Sequence, residues 1–174
     1  STPHPEGYAL TITATRVDAV ASTPAGIFYA VQTMRQIAAS AGESWPVMRI
    51  DDAPAFANRG VMLDITRCKV PTMDTLRELI EMLAEWKINQ FQLYTEHAFA
   101  YRDHGEVWRD ASPMTGEQIM ELDQFCRERC IELVPNQNSF GHMRRWLRHE
   151  RYRPLAETAE NPRDLCAVDP RSIV

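Results

Sequence analysis

At 174 residues, with 44% hydrophobic and 25% charged side chains, the chain has the make-up of a soluble globular protein, one domain or pieces of two. Nineteen basic residues against 24 acidic ones give a net charge of −5, which argues against a nucleic-acid partner. No apolar run approaches the roughly 18 residues of a membrane span, so no membrane partner is expected. The opening Ser1-Thr2-Pro3-His4 has neither the basic start nor the apolar stretch of a secretion signal.

Tyr8 to Ala14 alternates apolar and polar residues and predicts a half-buried strand, with Val17 to Val20 as its hairpin partner. Thr23-Pro24 supplies an N-cap and a proline at the first helical position. The following helix places Ile27, Val31, Met34 and Ile37 on one stripe and ends near Gly42. Val47 to Ile50 reads as a short strand, and Asp51-Asp52-Ala53-Pro54 as a linker.

From Arg59 the rhythm changes. A strand over 59–65 leads through Pro71 to a helix capped by Thr72, with Leu76, Leu79, Ile80, Leu83 and Trp86 at helical spacing. Ile88 to Tyr94 is the next strand, followed by a long loop over 95–114. Thr115 and Gln118 then form a capping box, and Ile119, Leu122, Phe125 and Cys126 mark the buried face of another helix. Ile131 to Val134 is a third strand, broken at Pro135 into an amide-rich loop that ends in Gly141-His142. An Arg-rich helical region over 141–157 and a helix start at Asp169-Pro170 follow. The Arg144 to Arg153 cluster, interleaved with Trp146, Leu147 and Tyr152, reads as the solvated side of an amphipathic helix rather than a phosphate-binding face.

The order β-α-β-α-β-α argues for parallel strands with right-handed crossovers. An apolar strand that stops in amides and an imidazole is what the mouth of a parallel α/β barrel requires. A closed barrel takes about 250 residues, and about 115 follow Arg59, enough for roughly three units. The fold class is therefore α/β: a partial (β/α)8 TIM barrel preceded by part of a small α+β domain. Residues 1–52 are the carboxyl-terminal part of the accessory domain, and 53–174 the opening part of the barrel.

Cys126 and Cys130 lie one helical turn apart, a poor disulfide geometry, and Cys68 and Cys166 have no evident partner. Four free thiols favour a reducing, cytoplasmic compartment. His97 and His104 invite a metal reading that no HExxH or paired-cysteine spacing supports, so neither metal nor cofactor is expected.

Three stretches occur in an order that resembles a known family: Pro24 to Ile37, the linker Asp51 to Phe56, and the strand Arg59 to Arg67. They resemble family 20 glycoside hydrolases, the β-N-acetylhexosaminidases, in which a small α+β domain precedes a (β/α)8 catalytic barrel. Tyr94-Thr95-Glu96-His97, Phe99-Ala100-Tyr101 and Pro135 to Met143 look most like the hexosaminidase D branch. The resemblance implies substrate-assisted retaining hydrolysis, an exception to the two-carboxylate scheme. The acetamido oxygen attacks the anomeric carbon, a Glu protonates the leaving oxygen, and a neighbouring Asp orients the acetamido nitrogen. That Asp-Glu pair follows the family's fourth strand. Asp51-Asp52 is the one adjacent acid pair here, so the catalytic acids are expected beyond Val174 and this stretch alone is expected to be inactive.

By the same resemblance, Arg59 grips hydroxyls of the terminal sugar, a task suited to a guanidinium with several fixed donors. His142 helps organise the surroundings of the acid, and Glu96 stands where many relatives carry an Asp that partners this histidine. Gln137 and Asn138 are candidate walls of the sugar site, with Asn136 beside them. Tyr101 and Trp108 offer rings to stack on a sugar face. Asp64 and Arg67 are read as a buried ion pair that holds the strand end. The expected partner is an N-acetylhexosamine-containing glycan or glycoside, with an oligomer covering the open barrel edges. Two other readings compete. One is a sugar isomerase or epimerase barrel using Glu96 and His142 with a metal, and the other a non-catalytic carbohydrate-binding or assembly module.

Overall fold

The computed structural model describes residues 4–67 and 69–172. The chain divides into two compact units. The first holds the residues up to Gly60 together with 78–90 and 126–132, and the second holds 61–77, 91–125 and 133–174.

In the first unit, strands β1 (Tyr8–Ile12), β2 (Val17–Ala21) and β3 (Met48–Asp52) form an antiparallel sheet in the order β2-β1-β3. The alternation of β1 turns Tyr8, Leu10 and Ile12 into the core, against Tyr29 and Ala30 of helix α1 (Pro24–Ala41). Thr23 caps α1 by accepting the Gly26 amide at 3.2 Å, with Pro24 in the first turn as expected. The expected stripe of α1 is corrected. Ile27 and Val31 are 39% and 40% exposed, and the buried face runs through Gly26, Tyr29, Ala30 and Thr33, with Met34 and Ile37 packed beside it. Tyr29 decides this face, because its ring buries more apolar area than either aliphatic residue. The expected linker is corrected as well. Asp51 and Asp52 are the last residues of β3, paired with Ala9 and Tyr8 of β1.

The second sheet has the order β4-β5-β6, with β4 (Gly60–Asp64), β5 (Gln90–Thr95) and β6 (Glu132–Gln137). The bonds Gln90 N to Arg59 O at 3.3 Å and Ile65 N to Tyr94 O at 3.1 Å advance together along both strands, so β4 and β5 are parallel. Glu132 N to Asn89 O and Asn138 N to Thr95 O, both 2.9 Å, make β5 and β6 parallel too. Helix α2 (Met73–Glu85) connects β4 to β5. Helices α3 (Gly105–Trp108) and α4 (Gly116–Arg127) connect β5 to β6.

Thr72 accepts the Thr75 amide at 3.2 Å, and the Thr115–Gln118 capping box is reciprocal, at 2.9 and 3.3 Å. Both connecting helices close in the same way. Lys87 and Cys130 sit in the left-handed region, at φ 59 and 56, and the amides after them reach back to Leu83 and Cys126. Neither position is a glycine, so no residue type announces these caps. Leu76, Ile80, Leu83 and Leu122 are buried as expected, whereas Trp86 is 61% exposed and leaves the predicted stripe.

Two further expectations change. β6 runs through Pro135 instead of breaking there, which an outer strand of the sheet tolerates because proline lacks only a donor. The 95–114 loop is organised by α3 and by a bridge between Phe99 and Met114. Cys126, Cys130 and Cys166 are in no disulfide, and Cys68 lies outside the described residues. Among the described residues no helix is long and apolar enough to cross a membrane.

Candidate functional site

The carboxyl ends of the three parallel strands bring polar side chains of the second unit together. Glu96, one residue past β5 and 8% exposed, is the hub. Its Oε1 receives the Tyr94 hydroxyl at 2.9 Å and Arg67 Nη2 at 3.2 Å, and lies 3.5 Å from His142 Nδ1. His142 Nδ1 is in turn 3.3 Å from Arg67 Nη2, so it accepts from the arginine or donates to the carboxylate according to its tautomer. The expected Glu96–His142 pairing is thus present in geometry, with Arg67 as its third member.

Backbone contacts fix Glu96 in place. Thr66 Oγ1 accepts its amide at 2.8 Å. The Trp146 indole and the Gln137 amide donate to its carbonyl at 2.7 and 3.1 Å. Asn138 donates to the Tyr94 hydroxyl at 2.9 Å, which ties the amide loop after β6 to the same hub. His142 holds φ 58, a conformation rare for a residue with a side chain. The strained backbone is therefore that of His142 and not that of the neighbouring glycine. At Gly141 an added Cβ would meet Asp164 Oδ1 at an ordinary 3.4 Å.

Arg67 is the residue that sequence reasoning underrated. It pairs with Asp64, but the pair is not buried, because the arginine side chain is 54% exposed. Burial pushes the Asp64 carboxyl up, yet the Thr66 amide and the Arg67 guanidinium outweigh it and hold it below the usual range. The signal was available in the chain: Arg67 follows β4 at its carboxyl end, just as Glu96 follows β5 and His142 follows β6.

Arg59 is not brought to this cluster. It precedes β4 and belongs to the first unit, where Nη2 lies 2.6 Å from Glu6 and Nε donates to the Lys87 carbonyl at 2.8 Å. Nη1 donates to the Phe56 carbonyl at 2.8 Å, and the guanidinium lies over the Tyr29 ring. Burial and the nearby Glu6 push the Tyr29 hydroxyl up to about 12. With its side chain only 19% exposed, Arg59 has its donors committed to holding this unit together.

The remaining candidates divide. Tyr101 bonds Gln137 and lines a cavity of about 280 Å³ beside β5, β6 and α4, whose walls include Leu93, Ile119 and Leu133. Trp108 donates to the Tyr101 carbonyl at 2.8 Å and packs as a support of that loop. Asn136 reaches Gln92 at 3.2 Å, on the sheet. His97 and His104 have partners other than metal: Arg145 at 3.2 Å and the Tyr152 hydroxyl at 2.6 Å. The cleft around the hub, about 330 Å³, is lined by Arg67, Glu96, His142, Arg144, Arg145 and Arg163. The arginines read as a solvated face therefore turn partly inward.

An α/β chain that gathers a guanidinium, a carboxylate, an imidazole and amides at the carboxyl ends of parallel strands has the build of a protein that handles small polar ligands. Residues 1–53 match the family model described as glycosyl hydrolase family 20, domain 2. The chain is 35% identical over 102 residues to a β-N-acetylhexosaminidase of Cellulomonas fimi, covering 57% of this chain and 20% of that protein. It is 27% identical over 162 residues to a β-hexosaminidase of Porphyromonas gingivalis, covering 79% and 21%. The fold superposes on Streptomyces plicatus N-acetyl-β-hexosaminidase, solved with Thio-NAglucal, with a TM-score of 0.80 at 24% identity over 99% of this chain and 41% of that one. These matches make the chain similar to glycoside hydrolase family 20 proteins, by the family model over residues 1–53 and by the relatives over most of the remainder. The chain spans about a fifth of the length of the Cellulomonas fimi and Porphyromonas gingivalis relatives.

Proposed function

We propose that this chain supplies the end of the accessory domain (1–52) and the first three β/α units of the catalytic barrel (53–174) of a β-N-acetylhexosaminidase. The whole protein would remove terminal N-acetylhexosamine from glycans or glycosides by substrate-assisted retaining hydrolysis. The observation that carries this reading is the convergence of Arg67, Glu96 and His142 at the carboxyl ends of successive parallel strands, the end at which (β/α)8 enzymes place their chemistry. The relatives' names and the complex of the Streptomyces plicatus enzyme with Thio-NAglucal support the sugar class.

In this reading Arg67 is the hydroxyl-gripping arginine. Its exposed guanidinium keeps donors for the sugar, while Asp64 and Glu96 fix its plane. Glu96 holds the arginine and the imidazole in one orientation, and His142 borders the place where the protonating acid acts. Attack by the acetamido oxygen on the anomeric carbon needs a protonated carboxyl beside a charged one. No adjacent Asp-Glu pair occurs in these 174 residues, so that step is assigned to the rest of the protein.

The test is hydrolysis of an aryl 2-acetamido-2-deoxy-β-glucoside, with binding of an N-acetylglucosamine-thiazoline inhibitor, by this chain and by its longer natural form. The expected result is turnover and tight binding by the longer form alone. Turnover by the 174-residue chain, equal inhibitor affinity for both, or no hydrolysis by either would overturn the reading.

A further inference from the structure

A second cavity, about 430 Å³, opens in the same unit and shares Arg145 with the cleft around Glu96. Its walls include Thr66, Lys69, His97, Asp110 and Ser112. His97 is only 6% exposed and its Nδ1 has no hydrogen-bond partner, a costly state for a buried polar atom. The other ring nitrogen, Nε2, receives Arg145 Nε at 3.2 Å. An imidazole that accepts at Nε2 carries its proton at Nδ1, so the unpartnered atom is a donor. Thr66 Oγ1 already accepts the Glu96 amide at 2.8 Å, which leaves its own hydrogen to donate. Among the described residues Lys69 has no carboxylate within ion-pair distance. The walls thus offer an ammonium, a guanidinium and hydroxyls, with the His97 ring among them, against the single carboxylate of Asp110. The adjoining cleft adds Arg67, Arg144 and Arg163 against Glu96.

We propose that this cavity binds an oxyanion group (sulfate, phosphate or carboxylate) carried by the carbohydrate that occupies the adjoining cleft. That a sugar carries the group rests on the function proposed above, whereas the oxyanion site rests on the cavity's own donors. Burial, Arg145 and Arg148 together hold the His97 imidazole below its usual pKa, with Glu96 opposing them. A bound anion adds a counter-charge and raises that pKa, so the imidazole itself reports binding.

The experiment is NMR titration of the His97 ring in the longer natural form with sodium sulfate, phosphate and acetate, using chloride at equal ionic strength as the control. The expected result is a rise in the His97 pKa with the oxyanions and not with chloride. Lys69→Met weakens the response about tenfold, and Asp110→Asn strengthens it by a similar factor, as removal of one charge of either sign predicts. An unmoved His97, or the same response in all three proteins, would overturn the proposal. A sulfate ester of N-acetylglucosamine that acts at lower concentration than inorganic sulfate supports a sugar-borne group. If it acts no better than inorganic sulfate, the sugar-borne part is overturned. Failure of the sugar reading itself looks different: uncharged N-acetylglucosamine leaves the Trp146 indole resonance unmoved while sulfate still shifts His97.

Discussion

Arg59 and Arg67 flank one strand and illustrate how far a residue's role depends on its end of that strand. Both are arginines eight positions apart in a single motif, yet one is 19% exposed, ion-paired with Glu6 and bonded to three carbonyls, while the other is 54% exposed beside Glu96 and His142. Arg59→Lys should cost about 1–3 kcal/mol of stability in chemical denaturation, because lysine cannot reproduce the fork that holds Glu6 and the carbonyls. It should leave inhibitor affinity in the longer natural form within about twofold. Arg67→Lys should do the reverse, leaving the denaturation midpoint essentially where it was, since its pair with Asp64 faces solvent. Inhibitor affinity should fall at least about tenfold. A matched loss of affinity in both variants would return Arg59 to the ligand. The residue types were legible in the sequence. Which arginine joins Glu96 and His142 was not, because a motif lists neighbours along the chain while the cluster is assembled from strand ends some thirty to forty residues apart.

At the scale of the element, α1 shows local signals overruled by packing. Its cap and proline were legible because they act within a few residues. The buried stripe was not, because the sheet beneath chose Tyr29 and Ala30 over Ile27 and Val31. Gly26 sharpens the point. By propensity alone, Gly26→Ala should stabilise a helix by about 1 kcal/mol. An added Cβ would stand 2.5 Å from the Gly7 carbonyl oxygen and 2.7 Å from the Ala21 Cβ, and neither is the far end of a flexible side chain. Sterics win, and the substitution should lower stability by about 1–3 kcal/mol, read as a shift of the urea midpoint. A higher midpoint would mean that α1 can lift from β2 at no cost. The helix ends at Lys87 and Cys130 were likewise hidden, since the left-handed position usually announces itself with glycine. At Lys87 the side chain explains the choice: its Nζ bonds the Tyr8 hydroxyl at 2.7 Å and Asp52 at 2.9 Å.

For the whole molecule, that Lys87–Tyr8–Asp52 group sets a pH window for the first unit. Burial alone would lower the Lys87 pKa, but its bonds to Tyr8 and Asp52 outweigh burial and raise it. Its contribution is therefore complete below the ordinary 10.5 and is lost as pH rises through the folded value. Burial alone would raise Asp52, but Lys87 and Tyr8 outweigh it and lower it. Its contribution is complete above the ordinary 3.8 and is lost as pH falls through the folded value. Stability followed by denaturation should decline as pH falls below the acid limit and as it rises above the alkaline one. Asp52→Asn should lower the plateau and flatten the acid limb. An acid limb of unchanged slope in that variant would assign the decline to other carboxylates.

The sequence by itself determined the alternation of β1, the capped helices, the succession of β-α units and the polar residues after each strand. These depend on side-chain periodicity and on hydrogen bonds a few residues long. Only the tertiary structure decided which face of α1 is buried, that β6 passes through Pro135, and that Arg67 rather than Arg59 joins Glu96 and His142. It also left His97 Nδ1 buried without a partner, and set the His97 ring beside Lys69 and Arg145 in the wall of one cavity. Each of these turns on which atoms meet across the fold, and pairing between distant segments is written in no local stretch of the chain.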